Sequence, residues 1–164
     1  MNTELYSRIM NLYVPSCRYL KDVKLNNMKA EGVFRLEETT YTSKRLKHMT
    51  SIETQICLNQ LVFYAFGEWL PKGELPYQIS SEKYVALMEE NMFILKSEIG
   101  FRRPIPTDID IHANIEVQDL KKIKNTHFVF LKYTLEQGKS FGSMKLAMTI
   151  DDHITNDDSI ISKL

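Results

Sequence analysis

Cysteine is scarce: Cys17 and Cys57 are the two in 164 residues, too few for a disulfide framework or a zinc set. No stretch approaches the roughly 20 apolar residues of a membrane-spanning helix. The opening MNTELYSRIM places charges where a signal peptide needs an apolar run, so the expected location is the cytoplasm. Neither charge sign is in surplus. With 21 Lys and Arg against 21 Asp and Glu, no global field gathers nucleic acid or an anionic membrane. The chain also lacks a G-x-S-x-G elbow, a Walker loop, a dinucleotide glycine fingerprint and a Cys/His metal cluster. Serine-hydrolase, nucleotide-driven, dehydrogenase and zinc chemistries lose their signatures with them, and neither metal nor cofactor is expected.

What is present is one domain, residues 1–164, with a core from about 13 to 150 and a polar tail, 151–164, expected to fray. Its centre is the segment HMTSIETQICLNQLVFYAF, residues 48–66. Thr50 and Glu53 form a Thr-x-x-Glu capping box, and Pro71 with Gly73 stops the helix. Apolar side chains fall on nearly every side, which predicts a buried helix over 51–70, about 30 Å long. Around it the hydrophobic period predicts a short helix over 3–12, strands over 19–25 and 28–36 about a turn at Asn26-Asn27, and a helix from Ser81 to Asn91 capped by Ser81. Strands over 93–102, 109–117, 127–135 and 139–150 follow. Two strands, a long buried helix, a short helix and about four antiparallel strands make an α+β domain.

Three segments carry a family resemblance: CRYL at 17–20, the block H-x-x-x-x-E-x-x-x-C-x-N-Q-L over 48–61, and GFRRPIP at 100–106. Over roughly residues 13–117 the chain resembles the FcoT-like thioesterase family. The resemblance implies the hotdog fold, a long central helix wrapped by a curved antiparallel sheet. It also implies work on fatty acyl thioesters carried by an acyl carrier protein or coenzyme A. Two reactions come with it: hydrolysis, and the addition of glycine to C3 of a (2E)-enoyl thioester. Carried over by motif, the active-site polar set falls on Tyr13, Tyr41 and Asn59, with Thr50 where relatives have asparagine. The spacing from Tyr41 to His48 is one residue longer than in those relatives.

Each candidate has a structural alternative. Asn59 is expected to be a buried amide, and burying one without a partner costs a few kcal/mol, which weighs for a functional role. Gln60, about 100° further round the helix, cannot share its pocket and reads as structural or interfacial. Glu53 is either a cap alone or also a catalytic base. His48, just before the helix start, is a proton carrier or a solvated loop side chain. Lys44, Arg45, Lys47 and Arg103 are a solvated face, or the seat of a carboxylate or a phosphopantetheine phosphate beside a helix N-terminus.

The helix interior offers amides and no free carboxylate, and a cationic patch lies before it. On that contrast glycine addition is the preferred expectation. Hydrolysis, hydration or dehydration of a β-hydroxyacyl thioester, and non-catalytic acyl binding are the alternatives. A bare sheet edge is an aggregation hazard, so a homodimer or dimer of dimers is expected, with the acyl site between chains.

Overall fold

The computed structural model describes residues 1–37 and 41–150. The elements run α1 (Thr3–Met10), a single 3-10 turn (Pro15–Cys17), β1 (Leu20–Asn26), β2 (Lys29–Arg35), α2 (Ser51–Lys72), α3 (Ser81–Glu90), β3 (Met92–Phe101), β4 (Asp110–Ile123), β5 (Thr126–Leu135) and β6 (Ser140–Thr149). The six strands form one antiparallel sheet in the order β1-β2-β4-β5-β6-β3, which leaves β1 and β3 at the edges. With α2 lying against this sheet, the architecture is the hotdog fold.

The core follows from the period of two in each strand. Ala30 and Phe34 of β2, Ile111, Ala113 and Ile115 of β4, and Val129, Leu131, Tyr133 and Leu135 of β5 all point to one face and are buried. Cys57, Leu58, Leu61 and Ala65 of α2 are wholly buried as well. Gly67 of α2 is where α1 and α3 close in: a methyl group there would stand 2.7 Å from the Tyr84 ring and 2.9 Å from Leu5. Only glycine permits that approach.

Several boundaries differ from the pattern-based ones. The hairpin turn is Asn27-Met28, one residue later than expected. Both take positive φ, 42° and 60°, as a two-residue turn demands, and the Met28 carbonyl is thereby free to accept from Val117 at 3.0 Å. Helix α3 is capped by Ser80 rather than Ser81, the Ser80 hydroxyl accepting from the Lys83 amide. Helix α1 ends at Met10 instead of residue 12. Helix α2 carries Pro71 inside its last turn and stops at Gly73, whose φ of 69° lets its N–H reach the Leu70 and Trp69 carbonyls. Proline removes one bond but does not bar a final turn. Strand β4 extends to Ile123, beyond the alternating stretch that ends near residue 117. The expected fraying of residues 151–164 falls outside the described residues.

Candidate active site

The start of α2 holds a tight polar cluster. The Glu53 side chain is fully buried. One of its carboxylate oxygens accepts from the Thr50 amide at 2.9 Å and from the Thr50 hydroxyl, while the other accepts from the Tyr41 hydroxyl. The Tyr41 and Thr50 hydroxyl oxygens are 2.7 Å apart, and the Thr50 oxygen also accepts from the Ile52 amide at 3.2 Å. The predicted capping box is therefore formed and extended by a tyrosine from the preceding loop. Burial raises the Tyr41 pKa above the ordinary phenol value, as does the neighbouring Glu53, so Tyr41 is a proton donor at neutral pH. Glu53 accepts from three donors.

One turn further on, Cys57 is wholly enclosed. Burial first, and then the Glu53 carboxylate, push its thiol well above the usual range, which keeps it protonated and unsuited to nucleophilic work. Tyr13 is half-buried against the core, and burial with a contribution from Cys57 raises its phenol in the same direction.

Asn59 departs from expectation. It is half-buried rather than enclosed, and it sits on a stripe of α2 that includes Ile52, which is 47% exposed, and the half-buried Gln55, Ile56 and Phe63. Spacings of three and four residues put these side chains on one face. The α2 helix is thus not apolar and buried all round, because this face is left open over its first three turns. The Asn59 carbonyl oxygen accepts from the Gln55 side-chain amide at 2.7 Å, so the Asn59 NH₂ is left to donate elsewhere. Gln55 escaped notice in the sequence, although an i,i+4 pair of amides is a recognisable helix-surface signal.

Gln60 has the structural role foreseen for it. It is fully buried, accepts from the Tyr19 and Leu20 amides at 3.1 and 2.9 Å, and donates to the Cys17 carbonyl at 2.6 Å. It pins the start of β1 to the central helix.

The basic residues lie before the helix. Lys44, Lys47, His48 and Arg103 are exposed. The backbone bridges His48 to Pro106, with Met49 donating to Ile105 at 2.8 Å and Thr107 to Lys47 at 3.3 Å. The 44–50 and 102–107 loops therefore run side by side at the mouth of the cluster. Arg45, read from sequence as part of a solvated face, is instead a clamp that donates to the Leu36 and Thr107 carbonyls at 2.9 and 2.8 Å.

The structure brings Tyr41, Thr50 and Glu53 into contact. It does not bring Asn59 to them, since nine residues of helix separate Asn59 from Thr50, about 13 Å along the axis. Among the described residues, no three His, Cys, Asp or Glu side chains gather as a metal site, and no helix is long and apolar enough to cross a membrane.

The Tyr41–Thr50–Glu53 cluster at the start of α2 is the candidate site of this hotdog domain, and the relatives of the chain support an acyl-thioester enzyme. Comparison with known proteins makes the class specific: the FcoT-like thioesterase domain matches residues 8–148, and the chain belongs to that family. Over 130 residues it is 28% identical to a protein of Mycobacterium marinum named (2E)-enoyl-[ACP] glycyltransferase, covering 75% of this chain and 70% of the relative. A protein of the same name from Mycobacterium tuberculosis is similar to the same extent. Among solved structures the fold is shared with a conserved protein of Pseudomonas aeruginosa. The TM-score is 0.50 and the identity 13%, over 79% of this chain and 87% of that one. It is shared also with a sigma28-regulated virulence protein of Campylobacter jejuni, at TM-score 0.50 and 9% identity over 94% and 93%.

Proposed function

We propose that this protein adds glycine to C3 of a (2E)-enoyl group held as a thioester on an acyl carrier protein, acting in the cytoplasm without a cofactor. The observation that carries the proposal is the state of Glu53. A hydrolase needs a base to activate water, and the carboxylate at the helix start is already engaged by three donors. What Asn59 and the positive end of α2 offer instead is hydrogen-bond donation and positive potential toward an oxygen.

That is what conjugate addition requires. The amine of glycine forms a bond to C3, the C2–C3 π electrons shift, and negative charge gathers on the thioester oxygen as an enolate. The Asn59 NH₂ and the positive end of α2 are assigned to that oxygen, while Tyr41 and Thr50, whose hydroxyl protons are held by Glu53, shape the helix start around the thioester. The proton lost by the nitrogen goes to C2, through His48 in this scheme. Lys44 and Lys47 seat the glycine carboxylate, Tyr13 flanks the acyl group on the α2 stripe, and Arg103 receives the phosphopantetheine phosphate. The relatives named (2E)-enoyl-[ACP] glycyltransferase support the choice of reaction.

The 13 Å between Thr50 and Asn59 supports a homodimer, or a dimer of dimers, in which the two-fold partner brings its own Asn59 to this helix start. The open stripe of α2 is the apolar face such packing would cover. Strand β3, a bare edge with Phe93 and Leu95 54% and 50% exposed, is the second face.

Intact-mass analysis after incubation with a medium-chain (2E)-enoyl-carrier protein tests the chemistry. Gain of one glycine with the acyl chain still tethered is expected. Release of free acid without glycine incorporation would transfer the assignment to hydrolysis, with Glu53 as its base. Mixing Asn59→Ala with Tyr41→Phe tests the assembly. A shared site restores about a quarter of wild-type activity, because half of the random dimers are mixed and each mixed dimer holds one intact site. A site contained in one chain restores none.

A further inference from the structure

The basic rim beside the helix start is larger than the glycine and phosphate roles need. Lys44, Lys47, Arg102 and Arg103 are exposed and Lys139 is half-exposed, and among the described residues none of the five forms an ion pair. They come from three segments that the backbone holds in register. Residues 47–49 pair with 105–107, and the Arg102 and Arg103 amides both donate to the Lys139 carbonyl, at 2.7 and 3.4 Å. Arg102 is fixed further, its guanidinium lying 4.5 Å above the Phe141 ring. Among the described residues the acids of the adjoining segments are Asp108, beside the 105–107 pairing, Glu136, which accepts from the His112 amide, and the buried Glu53, which accepts from Tyr41 and Thr50. In a chain of zero net charge, five cations against these three acids is a local excess.

A phosphodiester and a glycine carboxylate each carry one negative charge. Cations left over on an outward-facing rim, spread across three loops, match an extended acidic protein surface.

We infer that the rim formed by Arg102, Arg103 and Lys139, continuing into Lys44 and Lys47, is the docking surface for an acidic acyl carrier protein, and that this surface selects carrier-bound over coenzyme A thioesters. The inference rests on the function proposed above and adds the partner's footprint. Docked there, the carrier would deliver its prosthetic arm past Arg103 to the Tyr41–Thr50–Glu53 cluster. Surface charge of this kind acts mostly on the association rate, so its effect should be steeply salt-dependent.

The test uses the full chain, a fluorescently labelled phosphopantetheinylated carrier protein, and two charge reversals outside the catalytic set, Arg102→Glu and Lys139→Glu. Anisotropy should show carrier binding weakened at least tenfold by each variant, and weakened for the wild type when salt rises from about 50 to 300 mM. Circular dichroism melts should stay in place. In turnover with glycine, kcat/KM should fall tenfold on the enoyl-carrier protein and stay within about twofold on the enoyl N-acetylcysteamine thioester, which has no carrier. Unchanged carrier binding in both variants overturns the docking surface even if glycine addition is confirmed. An equal loss on enoyl-coenzyme A overturns it in favour of a nucleotide-phosphate site. Charge-dependent carrier binding with no turnover of any thioester leaves the docking surface standing and removes the proposed reaction instead.

Discussion

Asn59 and Gln60 are neighbouring amides on one helix, about 100° apart, and they have opposite surroundings. Gln60 is enclosed, and its side chain makes three hydrogen bonds to the backbone of residues 17–20. Asn59 is half-buried on an open stripe and, among the described residues, holds one partner, Gln55, through its oxygen. An amide whose every group is satisfied contributes to the fold, whereas an amide with donors to spare on an accessible face is available to a substrate. The same contrast divides α2 itself. Its sheet-facing side is packed shut, while the face carrying Ile52, Ile56, Asn59 and Phe63 is left open.

The largest expected effect breaks the Gln60 side of the pair. Gln60→Leu keeps the volume near that of glutamine but takes the side-chain acceptor from the Tyr19 and Leu20 amides in the core. Each unsatisfied group costs about 1–3 kcal/mol, so a loss of about 3 kcal/mol or more is expected, read as a fall in urea midpoint at constant slope. Substrate affinity in whatever remains folded should be unaltered. A variant that unfolds normally yet loses activity would place Gln60 in the site and erase the distinction.

Asn59→Ala probes the other side, with the magnitudes reversed: a drop in turnover of at least about tenfold, or about 1.4 kcal/mol of barrier, against little change in melting. Asn59→Asp sharpens it. Aspartate keeps the bond from Gln55 but brings a negative charge and no donors, so glycine addition should fall below the alanine variant. If hydrolysis rises at the same time, the new carboxylate has supplied the base that the natural site lacks. Early melting with preserved specific activity in Asn59→Ala would make Asn59 a core residue and displace the site.

The contrast was only half legible in the sequence. Thr50, Glu53 and the apolar run fix α2 because capping and burial are local, periodic signals. Alternation fixed the strands for the same reason, with errors confined to element ends such as Asn27-Met28 and Ser80, where one residue of turn or cap choice is settled by tertiary pairing. The open stripe was not legible. Ile52, Ile56 and Phe63 have the composition of a core, and a face kept for an acyl chain or a second subunit is built from the same residue types. For that reason Asn59 was expected inside. Arg45 carried no signal of its clamping role either, because the carbonyls it holds, of Leu36 and Thr107, are 9 and 62 residues away in the chain.

The smallest effect, and the one most specific to the comparison, concerns Gln55. Its side-chain NH₂ holds the Asn59 oxygen, which turns the Asn59 NH₂ outward. Gln55→Ala frees that amide to rotate without removing it, so turnover should fall by about threefold, the cost of losing part of one solvent-accessible hydrogen bond. Gln55→Glu should cost more than alanine despite being nearly isosteric. Glutamate can only accept, so it holds the Asn59 NH₂ inward and presents the Asn59 oxygen to the substrate, where a second oxygen is repulsive. Gln55→Lys restores a donor and should recover activity above the alanine variant. The order lysine above alanine above glutamate, at unchanged melting temperature, follows if Asn59 works as a donor held by Gln55. If glutamate instead matches or exceeds alanine, Asn59 does not donate to the thioester oxygen, and it then differs from Gln60 in exposure alone.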